Sequence, residues 1–203
     1  MKHLVVALTG ASGVRYGLRL LEVVHGAGID LTIAVSKGGA RVLEIEEGVR
    51  IDPGKPDAAS LVRTRKARGA PTVKTLALDD IAAAVCSGTH AVDGMVVVPC
   101  SMGTLSRIAS GNSANVIERA ADVMLKEGRP LVLVPREAPL SRIHLENMLR
   151  AHDAGAAIVP ASPGFYHRPE TIDDLVDQVV TKALDRLGLR LDLIPRWKTP
   201  PSR

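Results

Sequence analysis

An unbroken apolar run, Leu4-Val5-Val6-Ala7-Leu8, begins at the fourth residue and ends in Thr9-Gly10-Ala11-Ser12-Gly13. A run with no polar alternation is buried on both faces, which makes it a central strand of a parallel sheet. Parallel neighbours need long crossovers, so this one stretch commits the chain to alternating strands and helices. Gly10 and Gly13 permit a tight turn, and the pattern from Val14 onward is helical. A strand, a glycine turn and a helix N-terminus make an anion site, because free backbone N–H groups and the helix dipole point the same way. The turn points first to a nucleotide or a phosphorylated cofactor.

The rest of the chain repeats the theme. Leu31 to Val35, Met95 to Val98, Leu131 to Val134 and Ala156 to Val159 read as further strands, with a short one within Leu76-Ala77-Leu78. Helices are predicted over Val14 to His25, Leu105 to Ala109, Asn115 to Lys126 and Ser141 to His152. Two shorter ones are expected, one after Ser36-Lys37-Gly38-Gly39 with Val42, Leu43 and Ile45 inward, and one over Ile81 to Val85 opened by Asp79-Asp80. Thr171-Ile172-Asp173-Asp174 resembles a capping box, with Asp for the usual Glu, before a last amphipathic helix. Between Gly48 and Thr75, including the basic run 63–68, no periodicity is visible and irregular structure is expected.

The expected fold is a three-layer α/β/α, Rossmann-like domain with a mostly parallel sheet, and 203 residues suffice for one such core. It should occupy residues 1–188, leaving 189–203, with Trp197, as a tail that packs on a neighbouring subunit. Ligands of such sheets gather outside the carboxyl ends of the strands. The stretches to read together are Thr9 to Gly13, Ser36 to Gly39, Pro99 to Thr104, Pro135 to Pro139 and Pro160 to Pro169.

Some classes recede on composition. The net charge of +4 is scattered and only 2% of residues are aromatic, which argues against a nucleic-acid partner. Cys86 and Cys100 lack metal-ligand spacing, and two thiols suit a reducing, cytoplasmic setting. The first apolar run is too short for a secretory signal, and none approaches a membrane span.

The strand ends then narrow the ligand. Glycines stand at 10, 13 and 17, with Tyr16 where a third fingerprint glycine is expected, and the second strand ends in Ser36 rather than an acid. Both depart from a dinucleotide site. Ser36 and Ser101-Met102-Gly103-Thr104 offer hydroxyls and open backbone to a mononucleotide phosphate and the polar edge of a flavin, although each serine alone reads more plainly as a helix N-cap. Cys100 is either a nucleophile or simply buried, and no histidine is placed by sequence to activate it. Arg136-Glu137 puts a fixed cation beside a proton-carrying group, or else a helix cap beside a surface ion pair. Arg119 and Lys126, seven apart on one helix, form with Arg136 a second phosphate site or a solvated basic face. Tyr166 closes such a pocket or anchors its proline-rich loop.

Several stretches together resemble one family, the UbiX-type flavin prenyltransferases. They are Thr9-Gly10-Ala11-Ser12-Gly13, Val98-Pro99-Cys100-Ser101-Met102-Gly103-Thr104-Leu105, Glu118-Arg119-Ala120-Ala121-Asp122-Val123, Pro135-Arg136-Glu137-Ala138-Pro139, His144-Leu145-Glu146-Asn147-Met148 and Phe165-Tyr166-His167-Arg168-Pro169. The resemblance implies transfer of a dimethylallyl group from dimethylallyl phosphate to N5 and C6 of reduced FMN, without a metal. The product would serve UbiD-type decarboxylases. By the same resemblance Gly10, Ala11, Ser12, Ser36, Ser101, Met102, Gly103, Thr104 and Arg136 hold FMN. Arg119, Lys126, Arg136, Tyr166 and Lys182 bind the substrate, and Ser12, Glu137 and Glu46 are catalytic. A homododecamer with sites between subunits is implied too. Lys182 stands where many relatives carry an arginine, which keeps the charge and loses the bidentate fork. The alternatives are an FMN-dependent cysteine decarboxylase of the same fold and a non-catalytic flavin carrier. The three cations suit a phosphate better than a peptidyl cysteine.

Overall fold

The computed structural model describes residues 1–62 and 71–196. Each apolar run becomes a strand: β1 is His3–Leu8, β2 Asp30–Val35, β3 Val73–Leu76, β4 Gly94–Cys100, β5 Leu131–Pro135 and β6 Ala157–Ile158. The strands form one sheet in the order β3-β2-β1-β4-β5-β6, and every paired neighbour runs parallel. β1 pairs with β2 and β4, so the strand order reverses beside it, and the crevice of a doubly wound sheet opens there.

The helices are α1 (Val14–Gly26), α2 (Lys37–Glu47), the short α3 (Ala58–Leu61), α4 (Met102–Ala109), α5 (Val116–Lys126), α6 (Arg142–Asp153) and α7 (Ile172–Arg186). Alternation along β1 divides the interior in two. Leu4, Val6 and Leu8 pack with α1 and α7, whereas Val5 and Ala7 pack with α4 and α5 on the opposite face. Thr171 caps α7 reciprocally with Asp174, as the sequence motif requires. Ser141 caps α6 reciprocally with His144, and the Asn115 side chain caps α5 by accepting from the Ile117 and Glu118 amides. Leu189, Leu191 and Leu193 continue past α7 and pack against the α1–α7 side of the core.

Three local expectations fail. Residues 81–85 are not a helix: the segment turns, and a single 3₁₀ turn follows at Ala84–Cys86. Ala83, Val85 and Cys86 are buried in the core on the α5 side of the sheet, packing that a 3₁₀ turn achieves here. Ile45 points outward at 67% exposure while Leu43 is buried, because two residues along a helix is more than half a turn. The third strand lies three residues earlier than 76–78. The basic run 63–68 and Trp197 lie outside the described residues. Among the described residues no helix is long and apolar enough to cross a membrane, and no group of three His, Cys, Asp or Glu is placed to hold a metal ion.

Candidate active site at the strand ends

The ends of β1 and β4 are stitched together by Thr9, the polar residue that closes the first apolar run. Its hydroxyl donates to the Pro99 carbonyl at 2.8 Å and accepts from the Ser101 amide at 2.8 Å. Glycine lets the neighbouring turns press together. A Cβ on Gly10 would stand 3.0 Å from the Gly38 Cα, and one on Gly39 only 2.4 Å from the Leu8 carbonyl oxygen. Gly17 lies directly on β4, its missing Cβ 2.5 Å from the Val98 oxygen. The close helix–strand approach that a third fingerprint glycine provides is therefore made one position later, past Tyr16.

The anion site expected at the start of α1 is already filled by the protein. The Glu46 carboxylate, reaching over from the end of α2, accepts from the Gly13 amide at 2.9 Å and the Val14 amide at 3.1 Å. It neutralises the helix N-terminus that Gly13, which has no side chain, cannot cap. The N-termini of α2 and α4 remain, and both begin with a serine cap. Ser36 accepts from the Gly39 amide at 3.0 Å. Ser101 accepts from the Thr104 amide at 3.3 Å and donates to the Thr104 hydroxyl at 3.0 Å. Capping thus uses the oxygen of Ser36 as an acceptor and leaves its O–H as a donor not used by the cap. Gly103 is exposed, with only an Arg107 nitrogen at 3.6 Å from where its Cβ would be.

At the exit of β5, Arg136 Nε donates to the Ser12 carbonyl at 3.0 Å. That bond joins the β1 turn to the Arg136–Glu137 pair across the sheet end. Glu137 is exposed and accepts from the Ala138 amide at 3.1 Å. Arg136 and Glu137 line a cavity of about 210 Å³ together with Met148 and Ser162. Ser162 also lines a larger cavity of about 510 Å³, whose walls include Tyr166 and Lys182. The two cavities share Ser162, so Arg136 and Glu137 on one and Tyr166 and Lys182 on the other have a common rim, and Ser12 is tied to it through its carbonyl's bond to Arg136.

Arg119 and Lys126 are not on it. Both are on α5, on the opposite face of the sheet from α7 and its Lys182. Arg119 makes a loose pair with Asp122 at 3.9 Å, and Lys126 pairs with Glu127 at 3.0 Å. The first turn of α5 is fixed by Glu118, buried to 1% exposure, which pairs with Arg107 and accepts from the Ala114 amide at 3.0 Å. Sequence reading missed Glu118; its only signal was an acid among the apolar residues of a helix's inner stripe. Cys100 is fully buried, and burial pushes its thiol up to about 12, which removes it as a nucleophile.

The flavoprotein family model, described simply as Flavoprotein, matches residues 1–184. The flavin prenyltransferase UbiX of Pseudomonas aeruginosa is 47% identical over 197 residues, covering 97% of this chain and 94% of the relative. The crystal structure of AnUbiX (PadA1) in complex with FMN and dimethylallyl pyrophosphate superposes with a TM-score of 0.84 at 40% identity, covering 98% of each chain. The dodecameric FMN-dependent UbiX-like decarboxylase of Escherichia coli O157:H7 superposes with a TM-score of 0.82 at 41% identity, covering 97% of this chain and all of the other. The FMN-dependent cysteine decarboxylase TvaF shares the fold alone, at 17% identity and a TM-score of 0.59 over 93% of this chain and 99% of that one.

Proposed function

This chain belongs to the flavoprotein family, among its UbiX-type flavin prenyltransferases, and from that premise we propose that it transfers the dimethylallyl group of dimethylallyl phosphate to N5 and C6 of reduced FMN. Prenylated FMN so formed serves UbiD-type decarboxylases. The observation that carries the site is the Arg136–Ser12 hydrogen bond, which ties the β1 turn to Arg136, next to Glu137 on the wall of the smaller cavity.

The strand ends fit an acceptor of this kind. The first-turn amides of α2 and α4, the Ser36 hydroxyl and the Arg136 guanidinium suit a single phosphate and a polar ring edge. Gly10, Ala11 and Ser12 offer backbone, as do Ser101, Met102, Gly103 and Thr104 on the β4 side. When bound, the reduced flavin supplies the nucleophilic nitrogen and carbon.

The remaining work falls to side chains. Lys182 and Arg136 stabilise charge on the departing phosphate, which a metal ion does in many other prenyl transfers. The Tyr166 hydroxyl orients that phosphate from the loop. Arg119 and Lys126, on the far face of their own chain, reach a neighbour's site in a homododecamer. The Glu137 carboxylate accepts a proton at the flavin edge, and the Ser12 hydroxyl relays it. Glu46 acts through the backbone, holding the Ser12–Gly13 turn in place. Its own distance from the substrate is then less important than its grip on α1. A cytoplasmic setting goes with this reading and with two buried, unpaired thiols.

The test is anaerobic incubation with reduced FMN and dimethylallyl phosphate, followed by mass measurement of the extracted flavin. A gain of one dimethylallyl group is expected. An unchanged flavin mass, with binding of both ligands shown separately, overturns the proposal.

A further inference from the structure

The cavity that holds Lys182 has two features that the proposed function does not use. The first is Thr181. It is buried to 3% exposure and lines the cavity, yet among the described residues its hydroxyl has no hydrogen-bond partner. A helical threonine normally satisfies that group on a carbonyl one turn back, and leaving it unpaired is costly. The second is the outer wall, which is made by the tail residues Ile194 to Arg196.

Arg196 turns that tail back onto α7. Its Nη1 and Nη2 donate to the two Asp185 oxygens at 3.0 and 2.9 Å, and its Nε donates to Asp192 at 2.6 Å. Asp185 lies three residues after Lys182, one turn along the same helix, and lines the same cavity. Left to itself, a carboxylate there would pair with the Lys182 ammonium and repel an incoming anion. The bidentate guanidinium cancels it. Among the described residues Lys182 accordingly has no carboxylate partner, although an acid stands one turn away.

We propose that Arg196 and Thr181 complete the anion site of this cavity: Arg196 is a positioning residue that masks Asp185 and leaves the Lys182 charge for the ligand's phosphate, and the Thr181 hydroxyl donates to that ligand. The inference rests on the reading of Lys182 and Tyr166 as phosphate ligands. It also explains how a lysine serves without the bidentate fork of an arginine. The fork is present, but turned on the competing acid.

Calorimetric titration of the FMN-loaded protein with dimethylallyl phosphate tests the proposal. Arg196→Gln should weaken binding about tenfold, the loss falling on KM rather than kcat and leaving FMN affinity untouched. Asp185→Asn/Arg196→Gln, which lacks the acid as well as its mask, should regain most of the affinity. Thr181→Val, equal in shape, should lose about fivefold. Wild-type affinity in Arg196→Gln, or a double variant as weak as the single, overturns the masking role. If Arg196→Gln does not fold, Asp185→Asn alone decides: it should bind at least as tightly as wild type, and weaker binding overturns the role. Wild-type affinity in Thr181→Val removes Thr181. Should the wild-type protein itself neither bind dimethylallyl phosphate nor convert reduced FMN, the fault lies with the proposed function instead.

Discussion

Glu137 and Glu46 show how two acids expected in one site come to differ. Glu46 is tied to two backbone amides at the head of α1, so its charge is directed at a helix end. Glu137 touches only the amide of the next residue and opens onto a cavity, with the Arg136–Ser12 bond holding its neighbour in place. Removing the Glu137 charge while keeping its shape should therefore leave ligand binding alone and impair proton handling. Glu137→Gln is expected to bind FMN nearly as wild type and to form prenylated product slower by 10²–10⁴-fold, the range for a general acid–base group. Stopped-flow under anaerobic conditions measures it, and loss of FMN binding instead would return Glu137 to a structural role. The pairing of Arg136 with Glu137 was visible in the sequence because both stand at the exit of an apolar run. That Glu46 would cap α1 was not, since nothing in a linear chain places the end of α2 beside the start of α1. The plainer reading of the two serines as helix caps is what the structure shows.

At the scale of elements, strands and long helices follow from periodicity, and failures cluster where a segment is short or its partner is distant. The 81–85 segment buries Val85 through a 3₁₀ turn rather than a helix, and Ile45 continues the composition of its helix but not the face. Close packing of α1 on β4 was legible only as a surplus glycine. Because backbone cannot retreat as a side chain can, Gly17→Ala, with its Cβ 2.5 Å from the Val98 oxygen, should cost about 2 kcal/mol and lower Tm by roughly 4–8 °C for a chain of this size. Calorimetric melting checks it. The opposite, amino-terminal end of the strands carries a titratable device of its own. His3, at the start of β1, bonds to the Thr32 hydroxyl at 2.8 Å and meets the His90 ring edge-on at a centroid distance of 6.1 Å. Burial lowers its pKa first, and His90 and Lys74 lower it further, against the opposing charges of Asp30 and Asp93. The folded protein then binds fewer protons than the unfolded chain in the window below about 6.5, so stability is full above that pH and declines as pH falls through it. Urea midpoints between about pH 7.5 and 5 should show the decline, and His3→Gln should flatten it.

Taken whole, the molecule separates its proposed substrate cations between the two faces of the sheet and leaves apolar surface uncovered on a single chain. Lys182 and Tyr166 face a cavity on the α7 side, while Arg119 and Lys126 belong to the α5 side of the same sheet. No rotation of side chains brings cations through a packed sheet, so if both pairs act on one phosphate they come from different subunits. α6 points the same way. It buries only Ala151 in its own chain and leaves Ile143, Leu145 and Leu149 more than half exposed, an unusual amount of open apolar surface for one helix. If such faces join copies in a closed ring or cage, each site takes one half from each of two copies. Mixed oligomers test this directly. Lys126→Ala and Lys182→Ala are each expected to be nearly inactive alone. Unfolded in urea together in equal amounts and reassembled, they should recover roughly a quarter of wild-type activity, because one interface in four then pairs an intact α5 with an intact α7. If the cations acted within one chain, every site would carry one lesion or the other and mixing would restore nothing. Leu149→Glu, placed on the uncovered α6 face, gives the companion result: smaller particles by light scattering, with the far-UV spectrum of a folded subunit and little activity left.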